Sequence, residues 1–283
     1  MNDPLHQRIR QQYASDQGRR FYKTVMGDGG FDIHYGLYDS DSTSMQQATR
    51  ATSERMLQLA LDHVSLPQIT QILDLGSGRG GPAHFLANAS RATVMCVDLC
   101  EEHHAENLQR ARETGLEDRI ETRVGSFDAL PESWSSRFDL VWAQESFCHA
   151  ADAAALLERI RYLLRQGGAI TFSDIMISDD ATDADANVFA QVNAIMRLTK
   201  PSDYQRLLTS NGFESIHFED WTQHLETNFV RMLEQIETYR IKLQASGVAS
   251  SYLDDFAESL RSRIAWAQDH VLRWGAFAAV RSR

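Results

Sequence analysis

The stretch from Ile72 to Gly81, ILDLGSGRGG, constrains this chain more than any other. QILDL (Gln71 to Leu75) is short, apolar and rich in strand formers. Four glycines, Gly76, Gly78, Gly80 and Gly81, follow it, and a helix-forming run opens at Pro82. Glycine tolerates positive φ and lets the backbone approach a bound group closely, so strand, glycine loop and helix N-terminus in succession form a ligand-binding loop. It is not a P-loop, because no Lys-Ser/Thr pair follows. The next strand-like run, TVMCVD, ends at Asp98, 20 residues beyond Gly78, where doubly wound folds place the carboxylate that binds ribose hydroxyls.

Strand-like runs recur at Ile120 to Gly125, Phe138 to Ala143 and Ala169 to Ile175. Helical stretches at Pro82 to Ala89, Glu101 to Thr114 and Ala151 to Leu164 lie between strands, with RQGG reading as the glycine C-cap of the last. Alternation of this kind predicts an α/β fold with right-handed crossovers and a mostly parallel sheet. Farther on, DYQRLLTSNGF reads as a helix stopped at Gly212, SIHFEDW as a strand, and Trp274 to Ser282 as a final strand. Between those two strands, Thr227 to Ala245 and Ser251 to Arg273 carry apolar residues at helical spacing with a break at Gly247, which suits a helical cap over the sheet. The expected division is 1–65 N-terminal helical lid, 66–221 core, 222–272 cap insertion and 273–283 final core strand.

Composition narrows the partners. With 283 residues, 43% of them hydrophobic, the chain can bury a substantial core. Lys+Arg 28 against Asp+Glu 39 leaves a formal charge of −11, which argues against a nucleic-acid partner. Cys96, Cys100 and Cys148 show no C-x-x-C spacing, as expected of reduced thiols in a cytoplasmic protein. No window reaches the roughly 18 to 20 apolar residues of a membrane span. Glu102, His103 and His104 cluster but lack a third ligand at a metal-binding spacing, so they read as a solvated helix start and no metal is expected.

DLGSGRGG, with Asp74 two positions ahead of the first glycine, resembles motif I of the class I S-adenosylmethionine-dependent methyltransferases, and CVDL, GSFDALP, FDLVWAQESFCHA and LLRQGGAITFSD follow in that family's order. The resemblance implies a Rossmann-like seven-stranded sheet in the order 3-2-1-4-5-7-6. It implies S-adenosylmethionine as methyl donor and S-adenosylhomocysteine as product. It also implies Gly76 and Gly78 near the methionine part, Asp98 on the ribose, and Ser126 and Phe127 on the adenine. Gln144 would line donor and acceptor sites, with Asp74, Ser77, Leu99 and Tyr22 completing the donor set.

The segment from Gln11 to Ser40, including GFDIHYGLYDS, resembles the N-terminal part of glycine, sarcosine and dimethylglycine N-methyltransferases, and WAQDHVLRWGAFAAVR resembles the ending of the sarcosine and dimethylglycine enzymes. Met26, Asp28 and Phe31 depart from that pattern. The resemblance implies methylation of a small amine, sarcosine or dimethylglycine, toward glycine betaine, by a monomer or homodimer. Tyr13 and His149 match a Tyr-His pair of the related phosphoethanolamine enzymes. Glu145 forms a dyad with His149 if a helix begins there. Arg197 suits an acceptor carboxylate, and His34, Tyr35 and Trp221 suit the acceptor pocket, with Tyr13, Tyr22, Tyr35 and Trp221 as aromatic partners for a quaternary ammonium. An O- or C-methyltransferase of natural-product metabolism and a non-catalytic S-adenosylmethionine-binding protein are the alternatives.

Overall fold

The computed structural model describes residues 3–27, 30–182, 195 and 198–282. Among these, β1 (Gln71–Leu75), β2 (Thr93–Asp98), β3 (Ile120–Val124), β4 (Phe138–Gln144), β5 (Leu164–Ile177), β6 (Phe213–Asp220) and β7 (Leu272–Arg281) form one sheet in the expected order 3-2-1-4-5-7-6. β7 runs antiparallel to β5 and β6, and the remaining pairs are parallel.

Alternation along the strands loads both faces of the sheet. Ile72 and Trp142 pack on one face, while Leu73, Leu75, Val141 and Ala143 pack on the other. The second face is covered by α6 (Ala153–Leu163) and α7 (Pro201–Ser210), whose Leu157, Ile160, Tyr204 and Leu208 are fully buried. On the first face lie α1 (Pro4–Tyr13), α2 (Asp16–Val25), α3 (Met45–Leu61) and α4 (Gly81–Ala89), with α5 (Glu101–Thr114) beside β2 and β3. The starts of α1, α2 and α3 are fixed by side-chain caps: Asp3 accepts from Leu5 N, Ser15 from Gly18 N, and Ser44 with Gln47 forms a capping box.

Two long helices, α8 (Leu225–Ala245) and α9 (Ser250–Gln268), stand between β6 and β7 and pack against each other and against α2. Gly247, at φ 96°, takes the positive-φ break between them. α8 buries Leu225, Phe229, Met232, Ile236 and Leu243, a stripe at helical spacing. Asn228 on the same stripe reaches the aromatic segment after Gly30: its side chain accepts from Gly36 N at 2.7 Å and donates to Gly36 O at 2.9 Å. The paired bonds fasten that aperiodic segment to the helical pair as a strand partner would.

One local expectation fails. RQGG does not cap α6; Leu164 is already extended, and Arg165 to Gly168 lie inside β5, where the register with β4 jumps from Phe138↔Leu164 to Leu140↔Ala169. Asp139 explains the bulge. Its carboxylate accepts from Arg165 at 2.6 Å and from Thr70 N, Thr70 Oγ1 and Gln71 N at 2.8–2.9 Å, holding the extra residues against β1.

Gly76 has φ 71°, and a Cβ there meets the side chain of Ser146, whose Oγ is bonded to Leu75 O at 2.8 Å and so is not free to turn away. Gly76→Ala is expected to cost about 1–3 kcal/mol of stability in denaturant unfolding, from strained backbone plus overpacking.

Candidate active site

The C-terminal ends of β1, β2 and β4 open on one cavity. Gly76, Gly78, Asp98, Leu99, Ser126 and Phe127 line one end, and Tyr13, Tyr22, His34, Tyr35, His149 and Arg263 line the other. Gln144 and Glu145, where β4 ends, also border the cavity.

At the glycine-loop end, Gly76 N and Ser77 N donate to Val97 O at 2.9 and 3.1 Å, which folds the loop back over β2. Gly78 N then donates to the Asp98 carboxylate at 2.9 Å, and Cys100 N donates to its other oxygen at 2.8 Å. Nothing stands within 4 Å of a Cβ built on Gly78 or Gly125, so the backbone there is open to a ligand. Donor set and cradle fit an adenosyl group: a carboxylate for vicinal hydroxyls, bare backbone beside it, and the turn at the half-buried Ser126 and the buried Phe127 ring for a flat base.

His103 was misread from sequence. It is 2% exposed rather than solvated; its Nδ1 lies 3.3 Å from Asp98, and its Nε2 donates to Tyr13 O at 3.2 Å. Burial opposes charge on both partners, yet each stabilises the other's charge: Asp98 is held below the usual carboxylate range and His103 above the usual imidazole value. His104 is buried as well, bonded to Arg123 O at 3.0 Å. Asp98, Cys100 and His103 converge within 4.8 Å, a grouping only the fold reveals. Burial, and after it the Asp98 charge, pushes the Cys100 thiol upward.

At the other end, the Tyr13 ring meets His149 edge-on with centroids 5.9 Å apart and stacks on Tyr22 at 5.3 Å. Burial, with Tyr22 and Cys148 adding to it, raises the Tyr13 hydroxyl well above its ordinary value, so it is a neutral phenol. His34 Nδ1 donates to Tyr35 O at 3.0 Å with Asp32 3.6 Å from Nε2; burial works against its charge, but Asp32 holds the imidazole above its ordinary value. Gln144 Oε1 accepts from Trp142 Nε1 at 3.0 Å and Ser53 Oγ at 3.3 Å, while its buried Nε2 has no partner among the described residues.

The helical spacing expected for Glu145 and His149 is not realised. Glu145 has φ 51°, and a 3-10 turn begins only at Phe147. The Glu145 carboxyl accepts instead from Ser173 Oγ at 2.8 Å and Trp274 Nε1 at 2.7 Å. Burial, reinforced by Asp174, pushes it up to about 8, so it carries its proton near neutral pH.

Several expected residues lie elsewhere. Trp221 is packed on Trp274 with centroids 5.2 Å apart and donates to Glu219, away from the cavity. Asp74 and Ser77 sit beneath the loop rather than on the cavity wall, and Arg197 falls outside the described residues. Arg263 had not been anticipated; its signal was an arginine at an interior position of the α9 pattern.

A family model described as a methyltransferase domain matches residues 72–168. The glycine/sarcosine/dimethylglycine N-methyltransferase of Actinopolyspora halophila is 33% identical over 270 residues, covering 95% of this chain and 46% of the relative, so the chain spans about half of that protein. The sarcosine/dimethylglycine N-methyltransferase of Halorhodospira halochloris is 31% identical over 276 residues, covering 98% of this chain and 96% of the relative. A Galdieria sulphuraria protein assigned as a sarcosine dimethylglycine methyltransferase superposes with a TM-score of 0.86 at 22% identity, over 95% of this chain and 99% of that one. Phosphoethanolamine N-methyltransferase 2 of Haemonchus contortus, with phosphomonomethylethanolamine and S-adenosylhomocysteine bound, superposes at 0.79 and 18% identity, over 99% of this chain and 61% of that one. Sheet order, glycine loop and ribose-type acid define an S-adenosylmethionine-dependent methyltransferase. Within that class, the chain belongs to the family of sarcosine/dimethylglycine N-methyltransferases.

Asp74 gives a test of the buried electrostatics. It is 1% exposed; burial, then the nearby Asp98 charge, raises its carboxyl to about 8, and Oδ2 has no partner among the described residues. The folded chain therefore keeps a proton that the unfolded chain releases near pH 4, so this group's contribution to stability falls as pH rises toward 8. Relative to the parent, Asp74→Asn should become progressively more stable between about pH 5 and pH 8 in donor-free thermal unfolding; parallel pH profiles would refute this assignment.

Proposed function

We propose that this protein methylates the amine nitrogen of sarcosine or dimethylglycine, toward glycine betaine. The observation that carries the reading is the edge-on Tyr13–His149 pair at the aromatic end of the cavity whose other end is the glycine loop and Asp98. S-adenosylmethionine, when bound, would supply a sulfonium methyl carbon for in-line attack by an acceptor lone pair held about 3 Å away, with the sulfur leaving as the neutral thioether of S-adenosylhomocysteine.

The chain's own contribution is positioning and proton handling. Asp98 would accept from the ribose hydroxyls with Gly78 beside it, Ser126 and Phe127 would hold the base, and Gly76 and Gln144 would hold the methionine part, with the Gln144 Nε2 as a donor for its carboxylate. Tyr22 and Leu99 close the donor pocket, and Asp74 and Ser77 support the loop from below. Because aliphatic amines are protonated near pH 7, a proton must leave before attack. His149 takes it while the neutral Tyr13 hydroxyl fixes the nitrogen. Glu145, protonated at that pH, serves as a hydrogen-bonding wall. Tyr13, Tyr22 and Tyr35 offer ring faces to the nitrogen as it becomes permanently cationic, and His34 and Asp32 order the segment that carries Tyr35.

Residues 1–65 and 222–272 act in this reading as two parts of a lid over the 66–221 core. An excess of acidic residues supports a small-molecule acceptor rather than nucleic acid, and the free buried thiols of Cys96, Cys100 and Cys148 support a reducing, cytoplasmic setting.

Two measurements test it. Offered sarcosine, dimethylglycine, phosphoethanolamine and simple phenols, the protein should release S-adenosylhomocysteine chiefly with the methylated glycines; turnover with phenols alone would replace N-methylation by O-methylation. His149→Ala should lower kcat by about 100-fold or more while donor affinity, read by calorimetry, stays within a few-fold. An unchanged kcat would return His149 to a packing role.

A further inference from the structure

α1 turns His6, Ile9 and Tyr13, one face at helical spacing, to the cavity. Tyr13 is the last residue of that helix, so its carbonyl has no acceptor role within the helix, and an end held only by its own final turn frays. The donor comes from 90 residues away: His103, on the first turn of α5, donates from Nε2 to Tyr13 O at 3.2 Å. One turn earlier on α1, Arg10 Nε donates to Leu99 O at 3.1 Å, which ties the helix to the same stretch.

The buried His103 ring is committed at both nitrogens. A carbonyl only accepts, so Nε2 must carry hydrogen; Nδ1 lies 3.3 Å from Asp98 Oδ1, where a bare lone pair would be repelled by the carboxylate. The ring is therefore an imidazolium whose charge answers that of Asp98. Asp98 is in turn fixed by Gly78 N on Oδ2 and Cys100 N on Oδ1. One rigid ring thus spans from the acid at the donor end of the cavity to the backbone that carries the Tyr13 phenol. That phenol stacks on Tyr22 and meets His149 edge-on, contacts set by where the end of α1 lies. Misplacing a positioned group by about 1 Å is enough to cost about 100-fold in rate.

We propose that His103 is a positioning residue for the reaction: by holding the carbonyl at the end of α1 it seats Tyr13 against the acceptor, and it refers that seat to the ribose acid. The role of Tyr13 at the acceptor nitrogen is the N-methylation reading above, on which this assignment rests. His103 acts on the acceptor through Tyr13 alone.

His103→Asn and His103→Gln separate the two ends of the ring. Both remove the charge. The shorter amide puts its NH2 where Nδ1 stood, facing Asp98, and leaves Tyr13 O without a donor; the longer one reaches the Nε2 position and keeps Tyr13 O bonded. With whichever acceptor the parent turns over, His103→Asn should lower kcat at saturating donor by about 10- to 100-fold, and His103→Gln should stay within about threefold of the parent. Affinity for S-adenosylhomocysteine, measured by calorimetry, should differ between the two variants by less than about threefold, so the kcat split is not a donor effect. Tyr13 is also read directly: in protein labelled with fluorotyrosine, the fluorine resonance that Tyr13→Phe removes should shift much farther in His103→Asn than in His103→Gln.

An unchanged kcat in His103→Asn overturns the assignment. So do equal losses of kcat in the two variants with Tm lowered alike, or a Tyr13 resonance displaced equally in both, which would make His103 a structural partner of Asp98 alone. A parent that turns over only phenols overturns the N-methylation reading; the fluorine comparison, which needs no acceptor, then decides by itself whether His103 seats Tyr13.

Discussion

The hydrogen bonds around Asp98 tie the glycine loop, the start of α5 and the end of α1 to one another. One carboxylate accepts from the glycine loop at Gly78 and from the start of α5 at Cys100, and faces His103, whose far nitrogen donates to Tyr13 O at the end of α1. Arg10 adds a bond from α1 to Leu99 O, at 3.1 Å. Buried charge of this kind is tolerated only when every partner is in place, so loop, helix start and N-terminal lid are coupled through it. The ribose acid of the donor pocket and the helix that brings Tyr13 to His149 are thereby parts of one network.

The other half of the cavity is assembled on different terms. Sheet ends supply Gln144, Glu145 and His149; the N-terminal helices supply Tyr13 and Tyr22; the segment after Gly30 supplies His34 and Tyr35; and α9 supplies Arg263. These come from every part of the chain and meet because Asn228 clamps the aperiodic segment to α8 and α8 packs on α2. Methyl donor chemistry lies in the sheet, and acceptor chemistry lies in what is laid over it. A fold shared by many reactions can change its acceptor by altering the cover alone.

That division explains what could be read from sequence. The core was legible because its strands are short apolar runs, its loop needs glycine, and its acid stands at a set distance, all local signals. The cover was only partly legible. A helical stripe announced the cap, yet whether Arg263 pointed inward depended on which face met α8 and the sheet. His103 and His104 looked solvated beside Glu101 and Glu102 because one helix start carries both an exposed and a buried face. The glycines of RQGG looked like a helix stop when they serve a bulge held by Asp139, since the same left-handed freedom suits both. The supposed Glu145–His149 turn required a helix that the left-handed backbone at Glu145 forbids.

The place of β7 in the sheet has a consequence for how the molecule is made. β7 lies between β5 and β6, pairing with both, yet in the chain it follows them and the two cap helices. Until β7 is available, β5 presents a bare edge along most of its length and β6 has no neighbour to join. Both are the kind of surface on which nascent chains aggregate. α8 and α9 leave β6 and return at β7, so the helices that roof the acceptor site also deliver the strand that seals the sheet. Completion of the core and closure of the pocket are then a single late event in folding, and an interrupted chain has neither.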